Sequence, residues 1–327
     1  MKMNPFHSIE QFRGVVKNIN DFCTKSVKPI PTLTFKGTVK LHGTNAAVCW
    51  GGGKIWCQSR NNIITTEKDN AGFANYMHIY QDSLFMQLFA EHPYLKDVEE
   101  TIVVYGEWCG GSIQKNVALT GMEKMFVIFK IGVIYGDKTV WQNIPFTPYL
   151  DNIHHIDKFP TFSVDIDFNN PLVSQNTLVE ITNAVEKECP VAKYFGVSGV
   201  GEGVVWTEWE TTNGALTFKV KGEEHSVSKV KTLAAVDVEK MENISKFVEY
   251  AVTEQRLQQG VQYLEEQHLE VDVKNLSVFL KWLSADIVKE ESDVLEESGF
   301  TYREVGGMVS KHARTWFINL CNSKVGL

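Results

Sequence analysis

The sequence predicts an α+β fold: a first domain of mainly antiparallel sheet flanked by helices, and a small all-helical second domain. From residue 34 to 221, short β-branched and aromatic runs alternate with turn residues. After residue 230, Gly and Pro become rare and apolar residues recur at helical spacing. A chain of 327 residues also exceeds what one hydrophobic core usually supports. We therefore predict domains at residues 1–230 and 231–327.

Seven runs in the first domain have the composition of strands. In chain order they are LTFKGTVKLHG, AAVCW, KIWCQS, TIVVYGEW, KMFVIFKIGVIY, EGVVWTE and ALTFKVK. The glycines at 51–53 predict a hairpin turn, because they lack the pattern of a phosphate-binding loop. Apolar spacing predicts helices over 76–92 and 176–187, and over 236–259, 273–291 and 302–322 in the second domain. The stretch 151–194 suggests only an insertion or a substrate contact.

Composition limits the function classes. The formal net charge of -8 argues against a protein that coats nucleic acid by bulk electrostatics, so a polyanion would have to meet a local basic patch. Six scattered cysteines without a C-x-x-C pair predict reduced thiols and no zinc site. No segment approaches about 18 uninterrupted apolar residues, so we expect a cytoplasmic protein without a membrane partner.

Residues whose side chains could take part in catalysis or binding occur in a fixed order along the strand-like runs. They are the motif Lys40-Leu41-His42-Gly43-Thr44-Asn45, then Arg60, Glu107 in Gly-Glu-Trp, Phe129, Glu202 in Glu-Gly-Val-Val, and finally Lys219 and Lys221. Each one alone is explained by a solvated strand end or a charged sheet edge. Because side chains on a strand repeat every two residues, Lys219 and Lys221 are expected to project from one face. The whole ordered set is much harder to explain as surface.

This set resembles the covalent nucleotidyltransferases, which comprise ATP-dependent DNA and RNA ligases and mRNA capping enzymes. Within them it is most similar to the bacteriophage RNA ligase 2 family, through Lys-x-His-Gly-Thr-Asn, Gly-Glu-aromatic followed by Gln-Lys-Asn-Val, and Lys-x-Lys. DNA ligases carry Lys-x-Asp-Gly, so His42 and Asn45 favour RNA ligases. The resemblance spans about residues 34 to 230 and extends more faintly into the helical part. Val39 stands where a family member has an acidic residue.

The resemblance implies an ATP-dependent RNA ligase that seals 3′-hydroxyl/5′-phosphate breaks through a lysyl-AMP and an RNA-adenylate. The implied cofactors are ATP, with AMP bound covalently to Lys40, and Mg²⁺ or Mn²⁺ held by Glu202. The implied catalytic residues are Lys40, His42, Glu202, Lys219 and Lys221. The implied nucleotide contacts are Lys40, Asn45, Arg60, Glu107, Phe129, Glu202, Lys219 and Lys221.

The attacking lysine must first lose its proton. We expect cations around Lys40, supplied by Lys219, Lys221, Arg60 and a bound metal, to disfavour its ammonium form. The same cations would stabilise the charge on the transferring phosphate.

The expected partner is nicked duplex RNA or an RNA–DNA hybrid, bound by a monomer that acts in RNA repair without a protein partner. The location would be the host cytoplasm if the chain is encoded by a bacteriophage. The helical domain is expected to contact RNA, with Lys311, His312 and Arg314 as a basic face. Two alternatives stay open: a DNA ligase or capping-type nucleotidyltransferase, and a non-catalytic RNA-binding module.

Overall fold

The structure is a computed structural model that describes residues 1–222, His225 and residues 243–325. It divides into two compact units. The first unit combines Met1–Glu10 with Ile19–Gly222, and the second combines Gln11–Asn18 with the described C-terminal residues. The predicted domain boundary at residues 230 and 231 lies outside the described residues and stays a prediction.

The described residues form two sheets. The strands are β1 (Glu10–Gln11), β2 (Thr32–Lys40), β3 (Thr44–Gly51), β4 (Lys54–Ser59), β5 (Ile63–Ile64), β6 (Thr101–Cys109), β7 (Met125–Tyr135), β8 (Lys138–Gln142), β9 (Ile153–His155), β10 (Thr161–Asp167), β11 (Gly203–Glu208) and β12 (Thr217–Lys221). The first sheet has the order β1-β12-β11-β2-β10. The second has the order β5-β4-β3-β6-β7-β8, and β9 pairs with β7 in parallel.

Nine α-helices lie in the described ranges. They are α1 (Phe12–Ser26), α2 (Phe73–Glu91), α3 (Pro171–Lys187), α4 (Pro190–Tyr194), α5 (Ile244–Ala251), α6 (Glu254–Glu266), α7 (Leu276–Glu290), α8 (Ser292–Ser298) and α9 (Tyr302–Val325). Helix α2 packs its buried residues into the core beneath the second sheet. Helices α5 to α9 enclose a separate core in the second unit. None of the described helices is both long enough and apolar enough to cross a membrane.

The α+β prediction is confirmed, and all seven strand-like runs form strands. The turn at 51–53 connects β3 to β4, as predicted. The helix predicted over 236–259 differs: residues 236–242 lie outside the described part of the chain, and the remainder forms two helices, α5 and α6. The break arises because the Thr253 side chain accepts a hydrogen bond from the backbone N–H of Arg256 and so starts a new helix. All six cysteines are free and buried, as expected for reduced thiols.

Candidate functional site

Strand β11 lies between β2 and β12 and brings two lysines to either side of one glycine. Gly203 is opposite Lys40 on β2 and opposite Lys221 on β12. Gly203 has a φ of +148°, and a Cβ there would lie 2.2 Å from the carbonyl oxygen of Val220. Only glycine fits this position without strain. Because Lys40 and Lys221 are both opposite Gly203, both of their side chains can reach Glu202, which directly precedes β11.

The carboxylate of Glu202 is the centre of the candidate site. Its Oε2 atom lies 2.7 Å from Nζ of Lys40 and 3.2 Å from Nδ1 of His42, and its Oε1 atom lies 2.9 Å from Nζ of Lys221. Glu202 is 2% exposed, whereas about a fifth of the side chain of each partner is exposed. Four of the five predicted catalytic residues are thus in direct contact.

Charge decides the protonation of this centre. Burial alone would raise the pKa of Glu202, but the ammonium groups of Lys221 and Lys40, and then His42, together lower it well below its usual value. Glu202 is therefore ionised at neutral pH. The sequence predicts cations around Lys40, whereas the nearest charged partner of Lys40 in the structure is this anion. Lys40 and Glu202 therefore form an ion pair.

The loop that follows Lys40 is held by hydrogen bonds to both backbone groups of one residue, Gly43. The backbone N–H of Gly43 donates to Oε1 of Glu107 (3.0 Å), and the Gly43 carbonyl accepts from Nε2 of Gln114 (3.1 Å). A Cβ on Gly43 would lie 2.4 Å from the carbonyl oxygen of Trp108, so the close approach requires glycine. The Gln-Lys-Asn-Val motif had drawn attention to Gln114, but no function had been assigned to it.

Glu107 belongs to the same electrostatic system. Burial raises its pKa to about 7; Lys40 opposes that rise and the nearby Glu202 reinforces it, while the Gly43 N–H and Arg60 also lower it. Asn45 lies directly opposite Glu107 in the pairing of β3 with β6, so both side chains share one face of the second sheet. Arg60 follows β4 and is exposed.

Lys219 and Lys221 lie on one face of β12, as predicted from the two-residue period. Lys219 is opposite Val205, two residues along the strand from the position of Lys221. It is partly buried. Lys219 therefore lies on the same face of the sheet as the Glu202 centre, and it is two residues further along β12 from Glu202 than Lys221 is.

Phe129 lies at an irregularity in β7. The register shifts there, because Tyr105 pairs with Lys130 and the next residue of β6 pairs with Ile128. Phe129 is the extra residue, and such a bulge re-aims side chains. The Phe129 ring is partly buried against Phe6, with centroids 5.0 Å apart.

Lys130, which no sequence motif singles out, is buried between the two sheets. Its ammonium donates to the Gly214 carbonyl (2.6 Å) and to Oγ1 of Thr217 (3.1 Å), and it lies 4.5 Å from the centre of the Trp141 ring. Burial lowers the pKa of Lys130 to about 7. This lysine ties β7 of the second sheet to the turn that leads into β12 of the first.

The donor set for a metal is small. Within the described ranges, no three His, Cys, Asp or Glu side chains gather closely enough to hold a metal ion by themselves. Glu202 and Glu107 are nevertheless close enough for Glu202 to raise the pKa of Glu107. Mg²⁺ commonly binds one or two carboxylates together with substrate phosphates and water. These residues fit a metal that arrives with a nucleotide.

Comparison with protein families gives one match that covers most of the chain. The family model described as RNA ligase matches residues 34–315. The match includes every residue of the Glu202 centre and the loop fixed by Glu107 and Gln114. No curated protein matches the chain.

Among solved structures, the chain is similar to several of the RNA ligase of Naegleria gruberi. A lysine-to-methionine variant with AMP and Mn is 18% identical, with a TM-score of 0.43, and the match covers 67% of this chain and 56% of that chain. The same values hold for the ligase with PPi. A lysine-to-alanine variant with ATP and Mn is 19% identical, with a TM-score of 0.42 and coverage of 66% and 55%. The chain thus spans a little over half the length of these structures.

Proposed function

We propose a function from the premise that this chain belongs to the RNA ligase family. The proposed function is that of an ATP-dependent ligase of the RNA ligase 2 type, which seals 3′-hydroxyl/5′-phosphate breaks. Nicks in duplex RNA or in an RNA–DNA hybrid are the proposed substrates, and the protein would act as a monomer in the cytoplasm. The observation that carries this proposal is the convergence of Lys40, His42 and Lys221 on the single carboxylate of Glu202.

The first step transfers AMP to Lys40. Lys40 first releases a proton to solvent, and its neutral amine then attacks the α-phosphorus of ATP. A P–N bond forms, the P–O bond to pyrophosphate breaks, and the nitrogen gives up a second proton to solvent. Lys221 and Lys219 would stabilise the charge on the α-phosphate, Asn45 and Arg60 would contact the nucleotide, Glu107 would bind the ribose, and Phe129 would stack on adenine. The charge of Lys40 disappears in this step, so Oε2 of Glu202 loses its closest cationic partner.

In the second step, an oxygen of the RNA 5′-phosphate attacks the same phosphorus. The P–N bond breaks, Lys40 regains a proton, and RNA-adenylate forms. In the third step, the RNA 3′-hydroxyl attacks the 5′-phosphate and loses its proton, and AMP leaves. His42, whose Nδ1 lies 3.2 Å from Oε2 of Glu202, is proposed to act in these later steps.

A divalent cation fits this scheme at Glu202, with Glu107 as the second carboxylate. Such an ion would neutralise phosphate charge and compete with Lys40 for the carboxylate. Glu202 is ionised, as a metal ligand must be.

The test of this function is labelling with ATP that carries the label in its α-phosphate. Wild-type protein should acquire labelled AMP, and Lys40→Ala should acquire none. Transfer of the label to a 5′-phosphorylated nick, followed by its release as AMP, should occur with an RNA strand. Equal sealing of an all-DNA nick would favour a DNA ligase, and absence of any label would favour a non-catalytic RNA-binding module.

The helical unit is proposed to contribute RNA contacts. Lys311, His312 and Arg314 are all exposed on α9. Replacing Lys311 and Arg314 with Glu should leave lysine adenylylation unchanged and weaken nick sealing, because phosphate contacts give much of the affinity for nucleic acid. Unchanged sealing at physiological salt would remove this role from α9.

A further inference from the structure

The stretch 151–194, for which no motif predicts a definite function, contributes to an exposed cluster of aromatic rings. We call it the aromatic patch: His154, Phe159, Tyr194 and Phe195, with Lys158 beside them. Ring centroids are 5.4 Å apart for Phe159 and Tyr194, 5.5 Å for His154 and Phe195, and 5.1 Å for Tyr194 and Phe195. Tyr194 is 54% exposed and Phe195 is 37% exposed, whereas Phe159 is buried beneath them.

The pairing of four strands places this patch beside the candidate active site. Asn45 on β3 is opposite Glu107 on β6, Glu107 is opposite Val127 on β7, and Val127 is opposite His154 on β9. Directly opposed residues share a face, so His154 lies on the same face of the second sheet as Glu107. Two strand spacings separate them, which is about 10 Å. That distance is comparable to the reach of one nucleotide.

The charge of the patch suits an anionic ligand. Its acidic neighbours already have cationic partners, because Glu188 pairs with Lys193 and Asp157 pairs with Lys36. Lys158 instead contacts uncharged groups: its Nζ lies 3.2 Å from Nδ1 of His154 and 5.3 Å from the centre of the Tyr194 ring. Burial, and then Lys158, lowers the pKa of His154 to about 4, so that ring is neutral at pH 7.

From this geometry we infer that the aromatic patch stacks a terminal nucleobase of the RNA at the break, with Lys158 contacting the adjacent phosphate. Exposed rings beside a cation are the combination that single-stranded nucleic acid binds, since each base offers a π-face and each nucleotide a negative charge. A break frees the terminal base from one stacking neighbour, which makes it accessible to protein rings. This inference rests on the proposed ligase function.

Adenine of ATP is not the proposed occupant. The ring proposed for adenine, Phe129, is on β7 and packs against Phe6. The patch instead includes His154 on β9, which pairs with Val127 and so lies in line with Glu107. Variants of the patch should therefore affect the RNA-dependent steps and not the first step with ATP.

The test is the variant Tyr194→Ala in the full chain, assayed with a nicked RNA duplex that carries 2-aminopurine as the terminal base at the break. Wild-type protein should change the fluorescence of this base on binding, and Tyr194→Ala should abolish the change. The KM for the nicked duplex should rise on the order of tenfold, the loss typical of one stacked base. The rate of lysyl-AMP formation should equal that of wild type.

Two further variants serve as controls for Tyr194→Ala. Tyr194→Phe keeps the ring and should restore both the fluorescence change and the KM. Tyr135→Ala removes a ring of similar exposure, 44%, from the far end of β7 and should behave as wild type. If Tyr194→Ala binds and seals the duplex as wild type does, or if it loses lysyl-AMP formation in parallel, the inference is wrong. If wild type itself forms no lysyl-AMP, the proposed function fails instead.

Discussion

Each unit contains a buried carboxylate that pairs with two cationic side chains. The two carboxylates differ in the type of cation and in its access to solvent. Glu202 in the first unit is 2% exposed, and Glu291 in the second is fully buried. Each is shared by two cationic side chains. Lys40 and Lys221 bind Glu202, whereas Arg256 (2.6 Å) and Arg13 (3.0 Å) bind Glu291.

The difference lies in the cations and their access to solvent. Arginine stays protonated in proteins, and Arg256 is fully buried, with further bonds to Asp286 and to the carbonyl of Ala251. The Tyr250 hydroxyl also donates to Glu291 (2.7 Å). The lysines at Glu202 can lose a proton, and 22% of Lys40 and 17% of Lys221 remain exposed. The arginines around Glu291 form a structural clamp, whereas the lysines around Glu202 form the proposed reactive centre.

The largest expected effect comes from making the reactive centre resemble the clamp. Lys40→Arg keeps a positive charge near Glu202 but removes the amine that can become neutral. The rate of AMP incorporation from α-labelled ATP should fall at least about 10⁴-fold. Unfolding by denaturant should change by less than about 1 kcal/mol, because the ion pair can still form. Substantial labelling of Lys40→Arg would show that another group is the nucleophile.

Breaking the clamp should instead affect stability. Glu291→Gln removes the buried anion that Arg256 and Arg13 share and leaves Arg256 with Asp286. The unfolding free energy of the second unit should fall by about 3–5 kcal/mol. Denaturant unfolding followed by circular dichroism measures this change. Lysyl-AMP formation at low temperature serves as the control and should persist. A variant as stable as wild type would mean that Asp286 alone compensates Arg256.

Glu107→Gln should separate stability from activity in the first unit. The native pKa of about 7 exceeds the ordinary value of 4.5, so the native protein binds this proton more tightly. That contribution to stability is fully present below pH 4.5 and is lost as the pH rises through 7. Gln keeps an acceptor for the Gly43 N–H without the charge. Above pH 7 the variant should be more stable than wild type by up to about 3 kcal/mol.

Denaturant unfolding of both proteins at pH 5 and pH 8.5 measures this difference, and the comparison at each pH cancels the other titrating groups. AMP transfer should be weakened because the proposed ribose contact is altered. A stability difference that does not grow between these pH values would contradict the raised pKa of Glu107.

The smallest effect is expected at Gln114. Gln114→Ala removes the hydrogen bond to the Gly43 carbonyl and leaves that acceptor to water, at a cost of about 1 kcal/mol. AMP transfer should slow about fivefold, since the loop after Lys40 loses one of its two fixed points. Thr120→Ala is a suitable control because that hydroxyl bonds only to the Gln114 segment, not to Gly43. Equal slowing in both variants would assign the effect to the segment and not to the Gly43 contact.

Local pattern was enough to predict much of the fold. The composition of the seven runs predicts seven strands, and the two-residue period places Lys219 and Lys221 on one face. Strand β10 lies outside these seven runs: its sequence TFSVDID also alternates, but it falls in the stretch 151–194, which matches the motifs poorly. The association of Gln11–Asn18 with the helical unit depends on Arg13 and Glu291, which are far apart in sequence, so no local pattern predicts it.

The candidate site also has a part that local sequence predicts and a part that it does not. Its residues could be named from the motifs, but their partners could not. The sharing of Glu202 by Lys40 and Lys221 depends on the strand order β12-β11-β2, and that order joins segments distant in sequence. The position of Lys130 depends on a register shift in β7. Such features follow from long-range pairing, which composition and spacing do not encode.

The proposed nucleophile is Lys40, so among Lys40, Lys219, Lys221 and Lys130 only Lys40 should carry AMP. The direct measurement is mass-spectrometric mapping of the adduct after wild-type protein has reacted with ATP and a divalent cation. AMP should be found on the peptide that contains Lys40, and none on the peptides that contain Lys219, Lys221 or Lys130. An adduct on any of those three, or a protein that stays unmodified, would contradict the account.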